Sequence, residues 1–174
     1  MRREEDCVVC GVGVFCSVGA ANATDCSPGT FNARPRQAQC ERCAAGSYQD
    51  DEGATECKDC IPGAYCALGA SAPLPCPGGR FATATNLSSA EECDVSPVGY
   101  FSFAGATAPV PCSPGSHAPN ASSTLCTACP EGTYQNSSGS GSCIECGAGF
   151  LCAEGSSVRL PASCLAGTYR PAWV

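Results

Sequence analysis

The chain has 174 residues, of which 44% are apolar and 14% charged, with a net charge of −7. Leu, Ile, Val and Phe supply only 25 of them, below the roughly 20% at which a chain begins to lack the means to build an ordinary core. The acidic balance argues against a nucleic-acid surface, and no stretch approaches the roughly 18 apolar residues of a membrane helix.

The composition does supply 18 Cys, 20 Gly and 14 Pro, the make-up of a disulfide scaffold formed outside the reducing cytosol. In chain order these residues fall into a repeat, C-x-x-G-x-[FY]. It starts at Cys10 (Gly13, Phe15), Cys26 (Gly29, Phe31), Cys43 (Gly46, Tyr48), Cys60 (Gly63, Tyr65) and Cys76 (Gly79, Phe81). It continues at Ser96 (Gly99, Phe101), Cys112 (Gly115, His117), Cys129 (Gly132, Tyr134), Cys146 (Gly149, Leu151) and Cys164 (Gly167, Tyr169). A period near 17 residues marks a repeat array whose units are too small to fold alone.

A longer period lies over the first. Starts 10, 26, 43 and 60 recur at 96, 112, 129 and 146. The organisation read from this is a tail of an upstream unit at 1–9, a first five-unit block at 10–95 and a second block at 96–174. The fold class expected is a small disulfide-rich, elongated tandem array of about ten units, with short β-hairpins and turns and little helix.

Within a unit, the recurring glycine is expected to make a positive-φ turn, and the following ring to lie over the adjacent disulfide. The spacers Ala72-Pro73-Leu74-Pro75, Ala108-Pro109-Val110-Pro111 and Leu160-Pro161 are expected to be stiff polyproline connectors. Each unit should meet mainly its sequence neighbours.

The sixth unit gives a handle on cysteine pairing. Ser96 and Ser102 stand where the first unit has Cys10 and Cys16, while Cys93 and Cys112 survive. Two cysteines lost together are most simply partners, which argues for Cys10 with Cys16 and, by register, Cys60 with Cys66 and Cys146 with Cys152. The rest then close in sequence: Cys26 with Cys40, Cys43 with Cys57, Cys76 with Cys93, Cys112 with Cys126 and Cys129 with Cys143. Cys7 and Cys164 are left over, and the chain reads as a fragment whose neighbouring units would hold their partners.

Four of the five Asn residues, Asn22, Asn86, Asn120 and Asn136, open N-x-[ST] acceptors, where the Ser and Thr content would give about one by chance. N-linked glycans are therefore expected on a chain in the secretory pathway.

Phrases such as Cys40-Glu41-Arg42-Cys43-Ala44-Ala45-Gly46-Ser47-Tyr48 and Cys126-Thr127-Ala128-Cys129-Pro130-Glu131-Gly132-Thr133-Tyr134 resemble the ephrin-receptor-like cysteine-rich repeat. They are similar, too, to tumour necrosis factor receptor modules and more loosely to epidermal-growth-factor-like ones. The units ending in Pro-Cys, as from Cys60 to Cys76, resemble the variant found in long surface proteins of protists and algae. The resemblance runs from Cys7 to Tyr169 and implies an extracellular disulfide-laddered rod used in adhesion, stalks or filaments. It carries over no binding residue.

Rival chemistries are weaker. Zinc would suit the paired C-x2-C knuckles at Cys40, Cys43, Cys57 and Cys60 and at Cys126, Cys129, Cys143 and Cys146, yet in register each knuckle is one unit closing and the next opening. Five copies of C-x2-C without a βαβ pattern do not suit a redox enzyme. His117 occupies a ring position, so packing explains it better than catalysis. The run Asp50-Asp51-Glu52 has as its counterpart in the second block Asn136-Ser137-Ser138, which lacks acids, and it reads as a solvated turn, not a calcium site. No metal or cofactor is expected.

The sequence therefore reads as a non-enzymatic, glycosylated, extracellular or cell-surface structural repeat, part of a filament, appendage or stalk. Its partners would be other chains of the assembly, including copies of itself. The alternative is a receptor or adhesion ectodomain that binds a ligand or glycan.

Overall fold

The computed structural model describes residues 7–162, so the last repeat, from Cys164, lies outside the described residues. Every described repeat makes one two-stranded antiparallel hairpin. In chain order the strand pairs are β1 (Val14–Phe15) with β2 (Thr24–Asp25), β3 (Thr30–Phe31) with β4 (Glu41–Arg42), and β5 (Ser47–Tyr48) with β6 (Lys58–Asp59). Next come β7 (Ala64–Tyr65) with β8 (Leu74–Pro75), β9 (Arg80–Phe81) with β10 (Asp94–Val95), and β11 (Tyr100–Phe101) with β12 (Val110–Pro111). The set closes with β13 (Ser116–His117) and β14 (Thr127–Ala128), β15 (Thr133–Tyr134) and β16 (Ile144–Glu145), and β17 (Phe150–Leu151) and β18 (Leu160–Pro161). One 3-10 turn, Ala90–Glu92, is the helical structure among the described residues.

The described chain separates into two compact units, one running through Cys76 and taking in Ala82–Cys93, the other made of Pro77–Phe81 and the residues from Asp94 onward. Within each, the hairpin is closed by the same pair of groups. The opening residue of the next repeat donates its N–H to the glycine carbonyl, as Cys26 does to Gly13 (2.9 Å) and Cys112 to Gly99 (2.9 Å). The glycine N–H in turn donates to the residue after the next ring: Gly13 to Asn32 O (2.9 Å) and Gly99 to Ala118 O (2.9 Å). Backbone hydrogen bonds thereby stitch one repeat to the next.

The proline spacers are hairpin strands, not polyproline connectors. Leu74–Pro75, Val110–Pro111 and Leu160–Pro161 each supply the second strand of a hairpin. Because Cys76 N–H bonds Gly63 O, ladder alternation leaves the position of Pro75 on the open edge. Its missing donor therefore costs nothing there.

Contacts also reach further along the sequence than the immediate neighbour. A Cβ on Gly99 would stand 2.0 Å from the carbonyl oxygen of Gly139, two repeats on, and one on Gly13 would stand 2.1 Å from that of Gly53. Gly99 also lies at φ +87, so both conformation and space demand glycine. The same approach joins Gly29 to Gly69, Gly46 to Asn86, Gly79 to Ser122 and Gly115 to Gly155.

No shared apolar core results. Most of the buried side chains are the opening residues of the repeats and the residue after the ring in every described repeat but the first, with Ala64 and Cys93 besides, and rings pack against the bridge of the following repeat. Tyr48 lies on Cys60, Ala64 and Cys66, and Tyr65 on Cys76, Ala82 and Cys93.

Candidate functional site

The repeated machinery is the disulfide ladder. The structure joins Cys10 to Cys16, Cys26 to Cys40, Cys43 to Cys57 and Cys60 to Cys66, then Cys76 to Cys93, Cys112 to Cys126, Cys129 to Cys143 and Cys146 to Cys152. Their Cα atoms lie 5.7 to 6.3 Å apart, within the range a disulfide spans. The four-cysteine knuckles are split among separate bridges: Cys40 bonds back to Cys26, Cys43 forward to Cys57, and Cys60 to Cys66. Cys7 is exposed with an unbridged thiol, while Cys164 lies outside the described residues.

In the sixth repeat two hydroxyls replace the bridge. Ser96 Oγ donates to Ser102 Oγ at 2.6 Å, and both side chains are fully buried. Each polar group serves the other, which removes most of the cost of burying the pair.

Two structural positions were hidden from the sequence pattern. One is the residue after the ring. Short-loop repeats place a bridging cysteine there, whereas longer ones use Asn32, Gln49, Ala82, Ala118 or Gln135, all buried. Gln49 clamps its loop from inside: Nε2 donates to Glu56 O (2.7 Å) and Oε1 accepts the Asp51 N–H (2.9 Å). Gln135 does the same with Ser142 O (2.7 Å) and the Ser137 N–H (3.0 Å). Asn32 donates to Val14 O at 3.0 Å, but its buried Oδ1 has no partner.

The second hidden position is a left-handed residue deeper in the loop. Its N–H donates back to the opening residue of the preceding repeat: Arg36 to Cys10 O, Gly53 to Cys26 O, Asn86 to Cys60 O, Ser122 to Ser96 O and Gly139 to Cys112 O. Arg36, Asn86 and Ser122 have φ values of 65, 63 and 61. The only sequence signal was a scatter of Gly, Asn and Ser at that depth, and Arg36 obscures it.

The four acceptor asparagines, Asn22, Asn86, Asn120 and Asn136, are all exposed, whereas Asn32, outside any acceptor motif, is buried. Burial therefore separates the asparagine whose side chain the fold uses from those whose side chains it leaves to solvent.

Charge is concentrated beside β6. The Lys58 ammonium contacts Asp50 at 2.5 Å and Asp51 at 2.8 Å. The Lys58 hydrogen bond, with the backbone N–H of Asp50 second, holds the Asp50 carboxyl below its usual value, and Asp50 followed by Asp51 pushes Lys58 upward. A lysine already fills the acidic cluster. Glu92 is likewise lowered by the hydroxyl and then the backbone N–H of Ser88. His117 packs at its ring position against Thr127 and Cys143.

The family model described as tyrosine-protein kinase ephrin type A/B receptor-like matches residues 29–71 and 115–158, half of the chain in two segments. The chain belongs to the ephrin-receptor-like cysteine-rich family. Both segments start at the second repeat of a five-repeat block, on Gly29 and Gly115. No curated protein matches the chain. An ephrin-receptor-like repeat laddered by disulfides is a cysteine-rich module of extracellular type, and it does not belong to an enzyme family. No helix of the described residues is long and apolar enough to cross a membrane.

Proposed function

We propose that the chain is a structural segment of an extracellular filament, surface appendage or stalk, glycosylated and associating laterally with other chains, copies of itself among them. The observation that carries this reading is a register of exposed apolar side chains. Leu74, Val110 and Leu160 occupy the same strand position in three short-loop repeats and are 49%, 40% and 61% exposed. Val18 and Leu68 share a second position, at 104% and 63%. Exposed apolar side chains that recur with the repeat suit assembly along an array, whereas a ligand site would gather them in one place.

The test is sedimentation velocity of the glycosylated protein over a wide concentration range. Association is expected, and the triple variant Leu74→Thr, Val110→Thr, Leu160→Thr should abolish it. A wild type that stays monomeric throughout, or a triple variant that associates equally well, would overturn the assembly reading in favour of a receptor module. Glycan is expected on at least two of Asn22, Asn86, Asn120 and Asn136, and bare amides at all four in protein from its native source would refute that part.

A further inference from the structure

The ring position that elsewhere carries Phe or Tyr holds an imidazole at His117, and there it meets a disulfide. Nδ1 lies 3.2 Å from Cys143 Sγ and 3.1 Å from Thr127 O. A carbonyl oxygen only accepts, so Nδ1 carries the proton. That N–H points into the space shared by Thr127 O and Cys143 Sγ. The ligand atoms of His117, Cys129 and Cys143 all lie within 4.8 Å of one another. Cys129 is fully buried and Cys143 half-buried, so Cys143 is the more accessible end of the bridge to an external thiol.

We propose that Cys129–Cys143 is a thiol-exchange site of this chain, at which an external dithiol forms a mixed disulfide and then reduces the bridge. The first thiolate attacks Cys143 Sγ, the disulfide breaks, and the electron pair leaves on Cys129 Sγ, which takes a proton from solvent. The second thiolate of the reductant attacks the sulfur already bound to Cys143. Cys143 then departs as a thiolate beside the His117 N–H, and the dithiol leaves as its own disulfide. The bridge has gained two electrons, and of the two protons the dithiol releases, one is taken up by Cys129 while the other passes to solvent as long as Cys143 stays a thiolate.

The asymmetry comes from the N–H. Against a neutral disulfide sulfur it makes a weak contact, while against a thiolate it makes a charge-assisted hydrogen bond. The imidazole therefore favours the reduced state and eases departure of Cys143.

The chain contains its own control. Cys43–Cys57 stands at the same register in the first block, with Phe31 in place of His117. The Cα separation is 5.8 Å in both bridges, and the burial of the two pairs is alike. The experiment is reduction of the intact protein over a series of dithiothreitol concentrations, followed by alkylation and peptide mass spectrometry. Cys129–Cys143 is expected to open at about one tenth of the dithiol concentration that opens Cys43–Cys57, the change a charge-assisted hydrogen bond produces. His117→Phe, which restores the ring of the matching repeat, should bring the two bridges together, and Phe31→His should make Cys43–Cys57 labile in turn. Equal reduction of both bridges in the wild type, or a preference that survives His117→Phe, would overturn the proposal.

Discussion

The first and sixth repeats are the same unit built with and without a bridge. The first closes Cys10 on Cys16 and the sixth apposes Ser96 and Ser102 through one hydrogen bond, yet the backbone around them scarcely differs. Cys16 N–H donates to Gln37 O at 3.0 Å and Ser102 N–H to Ser123 O at 3.1 Å; Arg36 N–H reaches Cys10 O at 2.8 Å and Ser122 N–H reaches Ser96 O at 2.9 Å. The short bridge is therefore a staple on a shape that the backbone already holds. Shape comes from the glycine, the left-handed loop residue and the ladder of N–H donors, and the disulfide limits the unfolded chain.

The glycine offers the sharpest way to break this equivalence. Gly99→Ala puts a Cβ against Gly139 O in a repeat with no bridge of its own, and the expected loss is about 3–5 kcal/mol. Gly13→Ala meets an equal clash but leaves Cys10–Cys16 in place, so its repeat should stay closed while neighbouring contacts loosen. Gly132, where a Cβ meets nothing within 4 Å, should lose only the conformational share, about 1–2 kcal/mol. Denaturant midpoints with disulfides intact would rank the three, and a tolerant Gly99 would show that the contact two repeats on is not structural.

Exchanging the staples tests the comparison directly. Ser96→Cys with Ser102→Cys should form a bridge, read as the loss of two hydrogens in mass, and should stabilise by about 2 kcal/mol in the chain-entropy account. The reverse change, Cys10→Ser with Cys16→Ser, should cost only about 1 kcal/mol, because the new hydroxyl pair offsets about half of the lost bridge. If the serine version of the first repeat failed to fold, the bridge would be shaping the unit after all.

Much of this fold was legible because cysteine, glycine and ring recur by residue type. The joint loss at Ser96 and Ser102 singled out Cys10 with Cys16, the pair that the structure joins. What the pattern could not display were positions defined by geometry alone. The left-handed loop residue is Arg36 in one repeat and Gly53 in the next, and the buried residue after the ring is Asn32, Gln49 or Ala82. The contact from Gly99 to Gly139 skips a repeat, and a periodic sequence does not say how far along itself the chain returns. The proline spacers misled because φ near −65° suits both polyproline and an edge strand.

Gln49 and Asn32 give a smaller test at one of those hidden positions. Gln49→Ala strands Glu56 O and the Asp51 N–H, with an expected cost of about 1–2 kcal/mol. Asn32→Ala removes one donor together with an oxygen that had no partner, and Ala118 already fills the matching place. Its cost should be below 1 kcal/mol on the same scale, and an Asn32→Ala loss exceeding that of Gln49→Ala would contradict the clamp.

The smallest effect separates the third repeat from its counterpart by charge. Lys58 meets Asp50 and Asp51, while the same register in the eighth repeat holds Ile144, Asn136 and Ser137. Asp50 is depressed below its ordinary 3.8 by Lys58 first and its own backbone N–H second. Its contribution is present above that ordinary value and lost as pH falls through the lowered one. Lys58 is raised from 10.5 by Asp50 first and Asp51 second, so its contribution is present below 10.5 and lost only in stronger base. Between about pH 4 and 10 the pair should thus be constant, and because it lies in solvent, salt should weaken it. Carbon-detected NMR of the Asp50 carboxyl should show titration in the acid range, moving back toward the ordinary value in Lys58→Ala or in 1 M salt. The amides of residues 133 to 142 should show no matching transition, since no carboxylate stands at that register. A titration of Asp50 at or above its ordinary value would mean that the ammonium contact does not persist in solution, and the third repeat would then be held by Gln49, its bridge and the backbone ladder without help from charge.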